Sequence, residues 1–188
     1  MSSAAEIRTI ALAEFAASGY AATSVSRIAT LAKVSKSAVL YHYASKELLL
    51  QSAVEPALAA LDGMVASLES GAFDRSARER FVIRFVDFLL AHRLEANLFI
   101  NQAPSLRDVE VVDRANATIA RLARFFDLNT GTVEERMRFG IALGGAAYML
   151  CTEQNFRAEN TPDAATRPAL VVILSELLAP VSMRPTVV

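Results

Sequence analysis

Apolar residues recur along this chain at the three- and four-residue spacing of amphipathic helices. Near the start, Ile7, Ile10, Ala11 and Phe15 share one helical face. Similar stripes return to the end of the sequence, and no segment shows the strict alternation of a half-buried strand. The pattern therefore predicts an all-α protein of about nine helices.

Polar residues that can bond the first backbone N–H groups of a helix mark many of the predicted helix starts. Capping boxes, a Ser or Thr followed three residues later by Glu, are expected at residues 3–6, 76–79 and 132–135. Single-residue caps are expected at Ser24, Ser35 and Ser45. Gly19 is predicted to end the first helix.

Two prolines bear on the predicted helix boundaries. Pro56 lies inside the fourth helical stretch, where a proline removes a hydrogen bond and clashes with the preceding turn. We expect a kink or break there. The last helix is expected to run from Pro168 to Leu178.

Composition narrows the class of protein. The chain has 188 residues, of which 53% are hydrophobic, enough for a sizeable buried core. Its one cysteine, Cys151, excludes an intramolecular disulfide or a cysteine-based metal cluster. The start lacks a secretory pattern, and the longest apolar stretch, 139–151, is too short to cross a bilayer. These features predict a soluble cytoplasmic protein with no membrane partner, no cofactor and no metal.

Charge is distributed unevenly along the chain. The formal net charge is −1, yet residues 1–50 contain five basic and three acidic side chains. The mild positive excess lies at the end of the chain where a phosphate backbone would have to be met.

Residues 19–48, GYAATSVSRIATLAKVSKSAVLYHYASKEL, predict a helix-turn-helix followed by a further capped helix. Such a unit places the start of its second helix in the major groove of DNA. The turn is carried by residues 33–35, and the second helix follows as KSAVLYHY.

This stretch resembles the TetR (tetracycline-repressor-like) family of regulators over roughly residues 5–50. The flanking motifs Gly19-Tyr20 and Ser45-Lys46-Glu47-Leu48 agree with the family pattern. Three positions depart from it, because Lys33 and Ser37 stand where small turn residues are usual and Leu40 stands where the family favours Tyr. A side chain at position 33 must then occupy the turn, which we expect to be left-handed.

The helix-turn-helix pattern assigns roles to its polar residues. Lys36, Ser37 and Ala38 are expected to reach base edges, while Tyr41 and His42 are expected to reach phosphate or sugar. The predicted DNA-binding residues are Ser24, Ser26, Arg27, Ser35, Lys36, Ser37, Ala38, Tyr41, His42 and Lys46. The alternative is that the serines only cap helices and the lysines are only solvated. Tyr43 is expected in the core.

The resemblance implies a DNA-binding domain over residues 1–50 and an effector-binding, dimerising body over residues 51–188. Small residues in the helix that starts at Thr132 and the apolar last helix are the expected dimer interface, although an internal core explains the same pattern. The interface set is Gly140, Gly144, Ala147, Leu170, Ile173, Leu174 and Leu177.

The implied effector is small and largely apolar. The candidate pocket residues are Phe85, Phe88, His92, Phe99, Asn116, Phe126, Tyr148 and Met149. Aromatic residues at helical spacing are more often plain core. His92 and Asn116 are the polar members of apolar stripes, and a buried polar group needs a partner.

The sequence therefore predicts a homodimeric, sequence-specific transcriptional regulator that binds a pseudo-palindromic DNA operator. A repressor released by its effector is the leading hypothesis. One alternative is a helix-turn-helix regulator without a small-molecule effector, and a remoter one is a helical enzyme. The enzyme alternative lacks support, since the two histidines lie far apart and no phosphate loop or metal motif is present. No catalytic residue is assigned.

Overall fold

The computed structural model describes residues 3–102, 106, 109–151 and 163–179. Within these residues the chain forms nine α-helices and no strand, as the sequence pattern predicts. The helices are α1 Ala4–Ser18, α2 Val25–Leu31, α3 Lys36–His42, α4 Lys46–Glu69, α5 Arg75–Ala91, α6 Arg93–Gln102, α7 Glu110–Asn129, α8 Val133–Cys151 and α9 Asp163–Leu178.

The chain forms two compact units, and neither is one continuous segment. Unit 1 comprises residues 1–59 and 94–115, and unit 2 comprises residues 60–93 and 116–188. The divisions fall within α4 and α7 and at the start of α6. The expected domain boundary at residue 50 stays a prediction.

Unit 1 is built around the inner faces of α1 to α4. Ile7, Phe15, Ile28 and Val39 are fully buried in its core. The second segment of the unit adds further apolar residues to the same cluster, namely Leu98, Leu106, Val109, Val111, Val112 and Ala115. The helix-turn-helix is thus held by residues from two distant parts of the sequence.

Unit 2 has an aromatic core. Phe126 and Phe139 stack with ring centroids 3.9 Å apart, and Phe81 stacks on Phe85 at 5.7 Å. Phe73, in the connection before α5, meets the rings of Phe81, Phe125, Phe126 and Phe139. Such ring pairs add stability beyond the area they bury.

Most of the predicted caps are confirmed. The Ser3 and Glu6 box closes on α1, and the hydroxyls of Ser24, Ser35 and Ser45 accept backbone N–H groups of the helices that follow. The box between Thr132 and Glu135 is also present, and Gly19 ends α1 with a φ of 93°.

The predicted box at residues 76–79 is wrong. The N-cap of α5 is Asp74, whose carboxylate accepts the N–H of Ala77 at 2.7 Å. Asp and Ser cap about equally well, and the helix begins two residues earlier than the Ser76 cap predicts. The Ser76 hydroxyl instead accepts a bond from Arg80.

Neither proline interrupts its helix. Helix α4 continues through Pro56, so the expected break is absent, and α9 begins at Asp163 with Pro168 inside it. Both prolines are exposed. Water can therefore bond the carbonyl that each ring leaves without an N–H partner.

Helix α4 also qualifies, by length and composition, as a membrane-spanning segment, alone among the described helices. Half of the qualifying stretch is buried inside the protein, with Leu49, Leu50 and Val54 in unit 1 and Leu61 and Val65 in unit 2. Burial of this kind is what a core helix shows.

Lys33 adopts the left-handed conformation expected of the turn between α2 and α3, with a φ of 57°. It is the single non-glycine residue with positive φ in the described chain. The turn is closed by the N–H of Val34, which donates to the carbonyl of Ala29 at 3.0 Å.

Replacing Lys33 with Gly should raise the free energy of unfolding by about 1 kcal/mol, because glycine adopts positive φ without steric cost. The measurement is urea denaturation followed by circular dichroism. Lys33→Ala removes the same charge but keeps the Cβ, so it should give no gain. An equal gain in both variants would show that charge, not backbone strain, is responsible.

Candidate DNA-binding surface

Helix α3 presents one side to solvent and is held by the other. Val39 is its one fully buried side chain, and Ala38 is half-buried. Lys36, Ser37, Tyr41 and His42 are exposed, as predicted for residues that meet DNA. Ser35 caps the helix, so the first turn is fixed where base contacts would form.

The exposed face of α3 is formed by two ridges. Ser37 and Tyr41 lie four residues apart, as do Lys36 and Leu40, so each pair lies along one side of the helix. Tyr41 is 87% exposed, the largest exposure of any large apolar side chain described. Its ring contacts that of His42, 5.4 Å away between centroids, but is otherwise largely open to solvent, which favours a contact with a partner.

Helix α2 carries the second part of the candidate surface. Ser24 and Ser26 are exposed, and the Ser24 hydroxyl caps the helix by accepting the Arg27 N–H at 3.1 Å. Capping uses the oxygen as acceptor and leaves the hydroxyl proton available to a phosphate. Arg27 pairs with Glu14 at 3.2 Å, yet 58% of its side chain remains exposed.

Lys46, which the sequence predicts to bind DNA, holds a turn within unit 1. Its half-buried ammonium group donates to the carbonyls of Tyr20 at 3.0 Å and Thr23 at 3.1 Å. It also lies 4.3 Å from the centre of the Tyr20 ring. Two of its three donors are therefore occupied by the turn between α1 and α2, and the residue positions that turn.

Tyr20 and Tyr43 also stabilise the packing of α1 to α4, the part of unit 1 that we call the head. Burial, reinforced by the negative charge of Glu47, raises the pKa of Tyr20. The hydroxyl of Tyr43 donates to the carbonyl of Ala4 at 2.7 Å, and its half-buried ring packs on the core of unit 1, as expected.

Gln102 is a positioning residue that sequence reasoning missed. Its side-chain nitrogen donates to the carbonyl of Phe15 at 2.8 Å, and its oxygen accepts the N–H of Tyr20 at 2.7 Å. These bonds join the end of α6 to the end of α1. A glutamine 82 residues from its partner carries no local signal, so no periodicity or motif identifies it.

The predicted effector residues do not form one site. Phe85 and Phe126 are buried in the aromatic core of unit 2, and Phe88 lies half-buried 5.1 Å from the ring of His92. Phe99 packs against the core of unit 1. The three others, Asn116, Tyr148 and Met149, are exposed.

The prediction that Asn116 lies on the buried, apolar face of its helix is wrong, because its side chain is exposed. The inner face of α7 runs instead through Val112, Ala115, Leu122 and Phe126. Thr118 on that side donates to Asp62 at 2.6 Å. An exposed amide needs no protein partner, so the argument for a ligand at Asn116 no longer holds.

The predicted interface residues divide between core and surface. Leu170 and Leu174 are buried within unit 2, and Leu177 and Ala147 pack partly against the same cluster. Gly140, Gly144 and Ile173 are exposed. The exposed large apolar residues of α9 are Ile173, which belongs to the predicted set, and Val172, which does not.

Among the residues described, no group of three or more His, Cys, Asp or Glu side chains is placed to hold a metal ion. Cys151 is buried, and burial raises the pKa of its thiol to about 11.

Residues 7–53, which hold this surface, match the family model for bacterial regulatory proteins of the tetR family. The fold is that of the TetR family. The ketosteroid transcriptional regulator KstR2 of Mycobacterium tuberculosis is similar at a TM-score of 0.72 and 14% identity, over 96% of this chain and 95% of that one.

Two further TetR-family regulators are similar over nearly the whole chain. SCO3833 of Streptomyces coelicolor A3 gives a TM-score of 0.67 at 22% identity, covering 92% of this chain and 88% of that one. A regulator from Mesorhizobium loti MAFF303099 gives 0.58 at 19% identity, covering 95% and 96%. A comparison with curated protein sequences gave no match. At these identities the likeness establishes the TetR-family fold.

The two lysines of the TetR-type head should respond differently to the same substitution. Lys46→Met should lower the free energy of unfolding by about 1–3 kcal/mol, because two carbonyls lose a charged donor. Lys36→Met, on an exposed first turn, should change it by less than about 0.5 kcal/mol. Urea denaturation of both variants checks this, and equal stability would contradict the positioning role of Lys46.

Proposed function

We propose that this chain is a sequence-specific DNA-binding transcriptional regulator. It acts as a cytoplasmic homodimeric repressor on a pseudo-palindromic operator, and a small, largely apolar effector releases it. The exposed face of α3, within a segment that matches the tetR family model, is the observation that carries the proposal.

DNA recognition uses the exposed face of α3 in the major groove. Lys36 donates to guanine acceptors, Ser37 bonds base edges, and the methyl of Ala38 touches a thymine methyl. Tyr41 and His42, one turn later, meet phosphate or sugar. Ser24, Ser26 and Arg27 meet the backbone from α2. Leu40, 37% exposed, offers apolar contact in place of the hydroxyl that the family pattern has there.

The proposed dimer uses the outer faces of α8 and α9. Met137, Ile141 and Tyr148 on α8 are 62%, 66% and 45% exposed, and all lie on one side of the helix. Val172 and Ile173 on α9 are 54% and 49% exposed. Helices α8 and α9 contact each other, so these residues lie on neighbouring helices. Exposed apolar side chains in such number favour a second copy of the chain as their cover.

Glycines on α8 support close helix approach in this dimer. A Cβ added to Gly140, Gly144 or Gly145 would meet no atom of the described chain within 4 Å. Each helix-interior glycine costs about 1 kcal/mol relative to alanine. Space beside the glycines within one protomer leaves the partner's helix as the element that uses them.

An effector is supported less directly than DNA binding. Phe88 is half-buried against the aromatic core of unit 2, and it and the neighbouring His92 are candidate contacts for an apolar ligand. A regulator without an effector is the competing proposal. Thermal-shift measurements with a panel of apolar compounds separate the two, because a bound ligand stabilises the folded state by mass action.

An enzymatic function finds little support. The raised pKa of the Cys151 thiol keeps it protonated near neutral pH, and a thiol in that state is a poor nucleophile. His42 is exposed on α3. His92 lies next to Phe88, far from His42 in the sequence.

The DNA-binding proposal is tested with duplexes enriched by the protein from a random library. Lys36→Ala should weaken binding to the enriched duplex by about 1–3 kcal/mol per half-site, measured by fluorescence anisotropy, while binding to random duplex changes less. Arg124→Ala, which removes an equally exposed charge from α7, should leave both affinities unchanged. Failure of the protein to bind any duplex at low salt would overturn the proposal.

The dimer proposal is tested by light scattering coupled to size exclusion. The wild-type particle should have twice the chain mass of 20.3 kDa. Ile141→Asp should give a monomer, because a buried unpaired carboxylate at the interface is strongly unfavourable. Leu128→Asp, at a similarly exposed position on α7, should remain dimeric. A dimer that survives Ile141→Asp would place the interface elsewhere.

A further inference from the structure

Unit 2 contains a small cavity that the predicted pocket residues do not line. It has a volume of about 140 Å³ and lies between the end of α4, the connection at residues 71–73 and the first half of α5. Its apolar wall includes Met64, Leu68, Phe73 and Phe81, all buried. An apolar cavity of about 150 Å³ is large enough for benzene, so this one matches a single six-membered ring.

Two arginines line this cavity, and no acidic side chain of the described residues does so. Arg80 and Arg84 are four residues apart on α5, so they lie on the same side of the helix. Arg84 donates to the hydroxyl of Ser67 at 3.2 Å, and Arg80 donates to the hydroxyl of Ser76. Within the described chain these neutral hydroxyls are their bonded partners.

Two other arginines of unit 2 pair with carboxylates instead. Arg121 bonds Glu69 and Asp62, and Arg167 bonds Asp87. Two acids near the start of α5 are already engaged, since Glu79 pairs with Arg75 and Asp74 caps the helix. Arg80 and Arg84 are exposed, and each bond to a hydroxyl uses one of five N–H donors, so most of their donors remain available to an anion.

We infer that this cavity binds a small aromatic carboxylate, with the ring among Phe73, Phe81, Met64 and Leu68 and the carboxylate bonded by Arg80 and Arg84. Guanidinium groups bind carboxylates through paired, charge-assisted hydrogen bonds, which fixes the orientation of the ligand. A ring without a charge would leave Arg80 and Arg84 without an anion, and an anion without a ring would leave the apolar lining unoccupied. The proposed ligand therefore carries both groups in one molecule.

The inference names an effector class for the regulator proposed above, and its regulatory consequence rests on that proposal. Binding itself does not. The test therefore uses the purified full chain without DNA, so that loss of the site and loss of the DNA-binding function give separate results.

The probe is sodium benzoate, titrated by isothermal calorimetry at low chloride. Benzoate should bind saturably at one site per chain. Benzamide, which keeps the ring without the charge, and acetate, which keeps the charge without the ring, should each bind at least about tenfold more weakly. Saturable benzoate binding that benzamide or acetate equals would overturn the inference, as would the absence of benzoate binding up to about 10 mM.

Variants locate the site. Arg84→Gln and Arg80→Gln should each weaken benzoate binding by about tenfold or more, because a charge-assisted bond is lost. Arg75→Gln removes a charge from the same helix outside the cavity lining and should leave the affinity unchanged. Ala77→Leu, which extends a lining residue into the cavity, should abolish binding while both arginines remain. Wild-type affinity in Ala77→Leu, or an equal loss in Arg75→Gln, would show that the cavity is not the binding site.

Discussion

The seven residues of α3 depend on the side chain that anchors them. A helix of two turns has no stability of its own in water, because nucleation costs more than so few hydrogen bonds return. Val39, the one fully buried residue of α3, packs into the core of unit 1, and Ser35 closes the first turn. Everything that the exposed face of α3 can do in a DNA groove requires this docking, since the same residues in a frayed segment would have no common face.

The order of this head is reinforced by polar contacts on turns. Lys46 gathers the carbonyls of Tyr20 and Thr23, and Gln102 bonds both the end of α1 and the residue after Gly19. The carbonyls that accept these bonds lie in the last turn of α1 or in the connection after it, where they have no partner within a helix. Apolar packing therefore holds the helices of the head together, and hydrogen bonds from Lys46 and Gln102 fix the conformation of the turn after α1.

The all-helical fold and the helix-turn-helix could be predicted because their signals are local. Caps at Ser3, Ser24 and Ser35 bond residues three positions away, and the resemblance of residues 5–50 to the TetR family depends on short linked motifs. The start of α5 was predicted wrongly because two residues fit the same local capping pattern. Asp74 and Ser76 are both good caps by residue type, and in the structure Asp74 is the one that caps α5.

Assignments to a helix face failed for a related reason. On α9, Leu170 and Leu174 were expected at an interface but are buried, while Val172 and Ile173 are exposed. When a helix is apolar on nearly all sides, its sequence does not show which side is buried, because no polar face marks the side in solvent. The bonds that Lys46 and Gln102 make within the protein could not be predicted, because their partners are brought close only by folding. The cavity beside Arg80 and Arg84 was equally out of reach, since a void has no sequence pattern.

The discontinuity of unit 1 has a consequence for synthesis on the ribosome. The core that holds α1 to α3 includes Leu98, and the turn after α1 is bonded by Gln102. The segment that would meet DNA is thus translated long before the residues that complete its packing. The packing of the first part of the chain to be made therefore cannot be completed until α6 has emerged.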